Sequence, residues 1–399
     1  MAEPFDVSDY RELARRRLPR IIFDYLEGGA DDEKALSRNR TIFDRLRFKP
    51  HRLIDVSKRD LTIELFGARQ AAPLLIAPTG LNGSLWPRGD IALARAAAAA
   101  DIPFLLSTAS NAAIEEVGRA STGDKWFQLY IVERKLAQQM VERAAVAGYS
   151  KLVLTTDVGV NGNRERDLRN GFGLPLRFTP RLLLDGATHP RWSFDFVRRG
   201  MPQLANFQSA QATDMDSEAA VMSRQMDASF NWKDLAWLRG LWQHELLVKG
   251  ITSAEDATRC IEEGVDGVIL SNHGGRQLDD CLSPMQVLAE TRARISQPIL
   301  IDSGFRRGSD VVKALALGAD AVLLGRATLY GLAARGEAGV AHVLALLLAE
   351  IDRTLAQIGC PAIGQLSTDY LVEDDRSLMR IEAQNTDWEA SHVTAPEVA

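Results

Sequence analysis

The chain has 399 residues, 46% of them hydrophobic and 25% charged, which suits one large barrel-type domain or two to three smaller ones. A net charge of −6 argues against generic nucleic-acid binding, which favours a basic face. Cys260, Cys281 and Cys360 are widely spaced, form no metal signature and fit a reducing intracellular compartment, and no apolar run approaches the roughly 20 residues that span a bilayer.

Residues 1–50 read as helical, mixed and charged rather than secretory, with Ser8 or Asp9 as the expected cap before Tyr10-Arg11-Glu12-Leu13-Ala14. Short apolar runs then recur at 72–77, 102–107, 126–130, 151–157, 245–249, 267–271, 298–302 and 320–325. Helical patterns lie between most of them, such as Asp90 to Ala100 and Ser253 to Glu263. Eight buried-type strands alternating with helices predict a parallel sheet closed into a (β/α)8 TIM barrel, with an N-terminal helical segment. Two doubly wound domains are the rival, but no dinucleotide glycine fingerprint or linker divides the set. Residues 160–244 are far too long for an ordinary connection, so a long insertion follows the fourth strand. The expected organisation is a single domain over 1–386 and a polar, flexible tail over 387–399.

A barrel of this kind carries its active site at the C-terminal ends of the strands. Those ends hold Pro78-Thr79-Gly80, Ser107-Thr108, Gln128-Leu129-Tyr130, Thr156-Asp157, Lys249, Ser271-Asn272-His273, Asp302-Ser303-Gly304 and Gly325-Arg326. Any one of these is as readily a turn or a cap; their recurrence at eight successive strand ends favours one shared site. The most informative stretch is Ser271-Asn272-His273-Gly274-Gly275-Arg276-Gln277-Leu278-Asp279. His273 changes charge near neutral pH, and Arg276 carries a planar fork suited to a carboxylate. A base beside a carboxylate clamp suggests chemistry on an acid with a removable hydrogen. Gly304 and Gly325 amides with Arg306 and Arg326 suit a phosphate. Lys249 suits an electron-rich ring such as a flavin, whose reduction a cation stabilises. No metal site is expected.

In WFQLY, TTD, LVKG, SNHGGRQLD, DSGFRRG and LGRATLYG, in that order, the chain resembles the FMN-dependent 2-hydroxy-acid dehydrogenases and oxidases. The resemblance runs from about Tyr10 to Tyr370 and is most marked for the mandelate dehydrogenase branch, through APTGLNG, LSTASN, TTDVGVNGNRERDLRN and SRQMDASFNW. It implies FMN as cofactor, His273 as base, Asp157 as its orienting carboxylate, Arg276 and Arg164 on the substrate carboxylate and hydroxyl, and Tyr25 and Tyr130 as donors to substrate. The flavin ring is expected against Pro78, Thr79, Gly80, Ser107, Gln128, Thr156 and Lys249. Ser271 is expected near the ribityl chain, with Asp302, Ser303, Gly304, Arg306, Gly325 and Arg326 on the ribityl and phosphate. Ala109 stands where glycolate oxidase relatives carry tryptophan, leaving room for an aromatic substrate. Gly80 stands where the oxidases tend to carry alanine, which resembles the dehydrogenase branch. The expected reaction is oxidation of (S)-mandelate or a similar aromatic 2-hydroxy acid to the 2-oxo acid, with electrons passed to a membrane quinone or other carrier. The alternatives are a soluble lactate- or glycolate-type oxidase making hydrogen peroxide, or a non-catalytic flavin-binding scaffold.

The insertion mixes Arg177, Arg181, Arg191, Arg198 and Arg199 with Leu182, Leu183, Leu184, Trp192, Phe194 and Phe196, a composition suited to a membrane interface. Its expected extent is about 177–215, and burial of these residues under a lid or subunit contact is the competing reading. The resemblance implies peripheral attachment on the cytoplasmic side of the inner membrane and a homotetramer.

Overall fold

The structure, a computed structural model, describes residues 3–172, 179–200, 202–208 and 226–374. Eight parallel strands close into a barrel: β1 (Leu74–Ile76), β2 (Phe104–Ser107), β3 (Lys125–Leu129), β4 (Lys151–Thr155), β5 (Glu245–Ile251), β6 (Gly267–Leu270), β7 (Ile299–Ile301) and β8 (Ala321–Leu324). Each pairs with the next in sequence, and β8 closes on β1 through Val322–Leu74, Leu323–Leu75 and Leu324–Ile76. Six of the eight lie inside the apolar runs, while β3 starts one residue before its run and β5 ends two residues after its own; strands covered on both faces need no polar alternation.

The period of two divides the core into two clusters. Leu75, Leu105, Trp126, Val153, Leu247, Ile269, Leu300 and Leu323 point inward and fill the barrel. Their neighbours, such as Leu74, Leu106, Phe127, Leu152, Leu246 and Leu270, face the helix shell. A hairpin of Ile63–Leu65 and Ala68–Gln70 closes the end where strands begin, with Phe66 edge-on to Trp126 at 5.9 Å. A second ribbon pairs Leu46–Phe48 with Leu371–Glu373.

Helices follow the strands as Gly89–Ala99, Ile114–Ala120, Arg134–Val146, Trp232–Leu241, Ala254–Glu262, Pro284–Arg294, Gly308–Ala316 and Arg326–Ile358. Local chemistry starts several of them: Ser253 accepts from Asp256 N, and Asn231 and Asp234 form a capping box. The N-terminal region holds three helices, Val7–Arg17, Arg20–Glu27 and Lys34–Thr41. The expected cap moves: Asp6, not Ser8 or Asp9, accepts the backbone N–H of Asp9, so the helix starts two to three residues earlier.

Arg326–Ile358 is a feature the run-length reading passed over, since by length and composition it is apolar enough to cross a membrane. Here it is a core helix, packed on Val7–Arg17, Gly89–Ala99 and Gly308–Ala316. It kinks at Arg335 and Gly336 (φ 62°), where a Cβ would stand 2.5 Å from the Trp86 ring.

The insertion contributes helices Pro180–Thr188, Pro190–Arg199 and Ala205–Gln208. Its return leg is fastened to the loop after β2: Ala205 N donates to Ser110 O (3.2 Å), and buried Asn206 accepts from Ile114 N (2.9 Å) and donates to Ser110 Oγ (2.9 Å). The mixed composition of the insertion separates in space. Trp192 is buried, donates to Ser84 O (2.8 Å) and stacks on Phe196 at 4.9 Å, and Leu182 packs against the core. Leu183, Leu184, Phe194 and Val197 are exposed. Arg177, the Arg181 side chain, the insertion's residues 209–215 and the tail 387–399 lie outside the described residues.

Candidate active site

Two residues beyond each inward-facing core residue, the next inward side chain reaches the mouth of the barrel. Leu75 leads to Ala77, Leu105 to Ser107, Trp126 to Gln128, Val153 to Thr155, Leu247 to Lys249, Ile269 to Ser271, Leu300 to Asp302 and Leu323 to Gly325. Strand geometry alone thus sets a ring of six polar residues, completed by Ala77 and Gly325, on an apolar column. Above it opens a cavity of about 440 Å³, lined among others by Tyr25, Pro78, Thr79, Gly80, Ser107, Ala109, Tyr130, Arg164, Lys249, His273 and Arg276. Asp302, Ser303, Gly304, Arg306, Gly325 and Arg326 line it as well.

His273 occupies its centre with a left-handed backbone (φ 56°), followed by Gly274 and Gly275 at φ 66° and 76°. Its Nδ1 lies 2.9 Å from Asp157 Oδ1, and its Nε2 lies 3.4 Å from the Tyr130 hydroxyl. An ionised carboxylate only accepts, so Nδ1 carries the proton and Nε2 keeps a lone pair on the cavity side. Burial lowers the His273 pKa; Asp157 opposes this, while the charges of Lys249 and Arg164 add to it. The imidazole at rest is therefore neutral and able to accept a proton. Asp157 is held by Gln277 Nε2, which donates to its backbone carbonyl (2.7 Å). It also sits against Gly250 (φ 103°) at the β5 bulge, where a Cβ would stand 2.8 Å from its own Cβ.

The cations form a second layer. Lys249 pairs with Asp302 Oδ2 (2.9 Å) and donates to Ser271 Oγ (2.7 Å), which also accepts from His273 N (3.0 Å). Ser303 Oγ bridges Asp302 Oδ1 (2.8 Å) and Gly274 N (3.0 Å). Arg276 Nη1 donates to Tyr25 O (2.9 Å) and Gly28 O (2.5 Å), with its guanidinium 5.1 Å from the Tyr25 ring. Arg164 Nε reaches Arg276 O at 3.5 Å. Half-buried Arg326 donates to Leu26, Gly28 and Gly274 carbonyls. Burial and the charges of Arg276 and Arg306 push its pKa down to about 10, so it stays charged at neutral pH. This donor set fits an anionic cofactor: cations gather at the β7 and β8 ends, and a Cβ on Gly325 would meet nothing within 4 Å, leaving backbone open to a ligand.

Three expectations shift. Thr156 is exposed and donates to Lys249 O (3.0 Å), whereas Thr155 lines the cavity and accepts from Gln128 Nε2 (2.9 Å). The period of two from Val153 would have identified Thr155. Gln128 and Ser271 stand behind the cavity lining rather than in it: Gln128 joins Ser107 to Thr155, and Ser271 joins Lys249 to His273. Leu204 and Met226, from the long segment between β4 and β5, line the cavity together with Phe172, which stacks on Tyr25 at 4.4 Å. None of these three was expected as a site residue, because only the fold returns the segment between β4 and β5 to the mouth.

The FMN-dependent dehydrogenase family model matches residues 14–373. The (S)-mandelate dehydrogenase of Pseudomonas putida is 66% identical over 367 residues, 92% of this chain and 93% of its own. A peroxisomal (S)-2-hydroxyacid oxidase of Arabidopsis thaliana is 39% identical over 95% of this chain and 99% of its own. A crystal structure described as monotopic membrane protein (S)-mandelate dehydrogenase superposes with a TM-score of 0.91 at 65% identity, covering 94% of this chain and all of that one (100%). The family match covers most of the chain, and the chain belongs to the FMN-dependent dehydrogenases, flavoprotein oxidoreductases whose cofactor is FMN.

Proposed function

We propose that the enzyme oxidises (S)-mandelate or a similar aromatic 2-hydroxy acid to the 2-oxo acid, benzoylformate in the first case. The observation that carries this reading is the neutral, Asp157-bonded His273 facing one cavity with Arg164 and Arg276. FMN, when bound, supplies the two-electron acceptor. Arg276 and Arg164 hold the substrate carboxylate, and the planar fork of each fixes its orientation. Tyr25 and Tyr130 direct their hydroxyls toward the bound acid, and His273 Nε2 accepts one proton from its H–C–O–H unit. Asp157 then faces an imidazolium and stabilises it, as a carboxylate does beside any histidine base. Lys249 would stabilise the negative charge that reduction brings to a bound FMN.

Ala109 favours an aromatic side chain over a small one, since its methyl leaves space at the loop after β2. Gly80 packs so tightly on that loop that a Cβ would stand 2.9 Å from Ala109 Cβ. Anaerobic bleaching of the flavin by (S)-mandelate, (R)-mandelate, L-lactate and glycolate, followed by air, tests the reading. Fast bleaching by (S)-mandelate with slow recovery in air is the expected result. Bleaching mainly by lactate or glycolate with rapid reoxidation would replace it with a peroxide-forming oxidase.

The proposal extends to peripheral membrane attachment through the insertion. Exposed Leu183, Leu184, Phe194 and Val197 beside exposed Arg191, Arg198 and Arg199 suit an interface with anionic lipid. The relative described as a monotopic membrane protein supports it. A membrane quinone as acceptor, the cytoplasmic face of the inner membrane and a homotetramer complete the reading, supported by the resemblance to that branch.

A further inference from the structure

The base loop is held from outside the barrel. Helix Lys34–Thr41 delivers Asn39, 1% exposed, against Asn272, 4% exposed and adjacent to His273. The two amides bond reciprocally: Asn39 Nδ2 donates to Asn272 Oδ1 (2.8 Å), and Asn272 Nδ2 donates to Asn39 Oδ1 (2.9 Å). Asn272 uses its remaining capacity within its own loop, accepting from Gly275 N (3.1 Å) and donating to Leu282 O (3.0 Å). Between Asn272 and Gly275 lies His273 in a left-handed conformation that a residue with a side chain resists unless its neighbours over-determine it.

The helix approaches both loops at backbone contact. A Cβ on Gly275 would stand 2.6 Å from Leu36 N, and one on Gly304 would stand 2.1 Å from Asn39 O. Asn39 thus sits between the loop that carries the base and the loop that begins the anion site. We propose that Asn39 is a positioning residue for His273: its amide, paired with Asn272, holds the bend that aims Nε2 into the cavity. The N-terminal helices are then part of the catalytic apparatus rather than a cover over it. This rests on His273 being the base.

A purely structural role for Asn39 would be to dock the helix. Arg38 on the same helix does that without touching the amide pair, donating to Cys281 O (2.5 Å) and Asp279 O (3.5 Å). The experiment compares Asn39→Leu, Asn39→Asp, Arg38→Ala and His273→Ala as FMN-loaded enzymes. It reads melting temperature, flavin content and absorption spectrum, and kcat and KM for (S)-mandelate per bound flavin. Asn39→Asp keeps the acceptor toward Asn272 but loses the donor, so it reports if Asn39→Leu does not fold. The expected result is a kcat loss on the order of tenfold or more in both Asn39 variants, a share of the ~10²–10⁴-fold that base catalysis supplies. KM and the flavin spectrum should stay near wild type, and Arg38→Ala should lose thermal stability but keep its kcat. Asn39 variants that lose only melting temperature, or an Arg38→Ala that loses kcat equally, would overturn the assignment. If His273→Ala itself kept full turnover, the base reading would fail first, and the two failures are thereby distinguishable.

Discussion

His273 joins three local conditions that no one of its neighbours supplies alone. Its backbone is left-handed, its Nδ1 is committed to Asp157, and its burial favours the neutral ring. The sign of the pH effect follows. As the proposed base His273 acts only when neutral, and its pKa lies below the ordinary 6.5, so the midpoint of the acid limb of kcat/KM should lie below pH 6.5. The same shift means that the unfolded chain takes up a proton near pH 6.5 that the folded one refuses, so stability declines as pH drops through that window. A kcat/KM profile whose acid limb lies above 6.5 would contradict the burial argument. His273→Ala is expected to retain its flavin and reduce it about 10²–10⁴-fold more slowly, measured by stopped-flow absorbance. Rapid reduction in that variant would remove His273 from the role.

At the scale of elements, the insertion does two jobs with two sets of residues. Trp192, Phe196, Leu204 and Asn206 dock it on the barrel, and Leu183, Leu184, Phe194 and Val197 face outward. The outward set does little for folding, since solvent-facing substitutions usually change stability by no more than about 0.5 kcal/mol. Phe194→Glu combined with Val197→Glu should therefore leave melting temperature and kcat unchanged. Binding to vesicles containing anionic lipid, measured by sedimentation, should weaken sharply, because two apolar side chains 65% and 82% exposed become charged. Undiminished binding would place the membrane contact elsewhere.

Across the whole molecule, the buried pair Lys249–Asp302 couples β5 to β7, with side chains 5% and 11% exposed. Removing one partner strands the other charge, which typically costs about 3–5 kcal/mol. Lys249→Met should lower stability by that order in denaturant unfolding, and Lys249→Met with Asp302→Asn should recover part of it. If the double variant is no more stable than the single one, the cost lies in lost packing rather than in an uncompensated carboxylate.

How much of this was legible beforehand differs by kind of information. Eight apolar runs of strand length with helices between them determined the barrel, because a parallel strand buried on both faces must be apolar throughout. The same alternation determined which strand-end residues meet: Ser107, Gln128, Lys249, Ser271 and Asp302 follow an inward core residue by two. Thr156 was misplaced by one position because the strand's end, unlike its middle, is not marked by composition. What only the tertiary structure decided are the contacts between segments distant in sequence. Asn39 meets Asn272 across 233 residues, Leu204 and Met226 return from the segment between β4 and β5 to the cavity, and Trp192 turns inward while Phe194 stays exposed. Periodicity is a property of one element and is written in neighbouring letters; the pairing of two elements is settled by how their surfaces pack, and a single sequence carries no local trace of it.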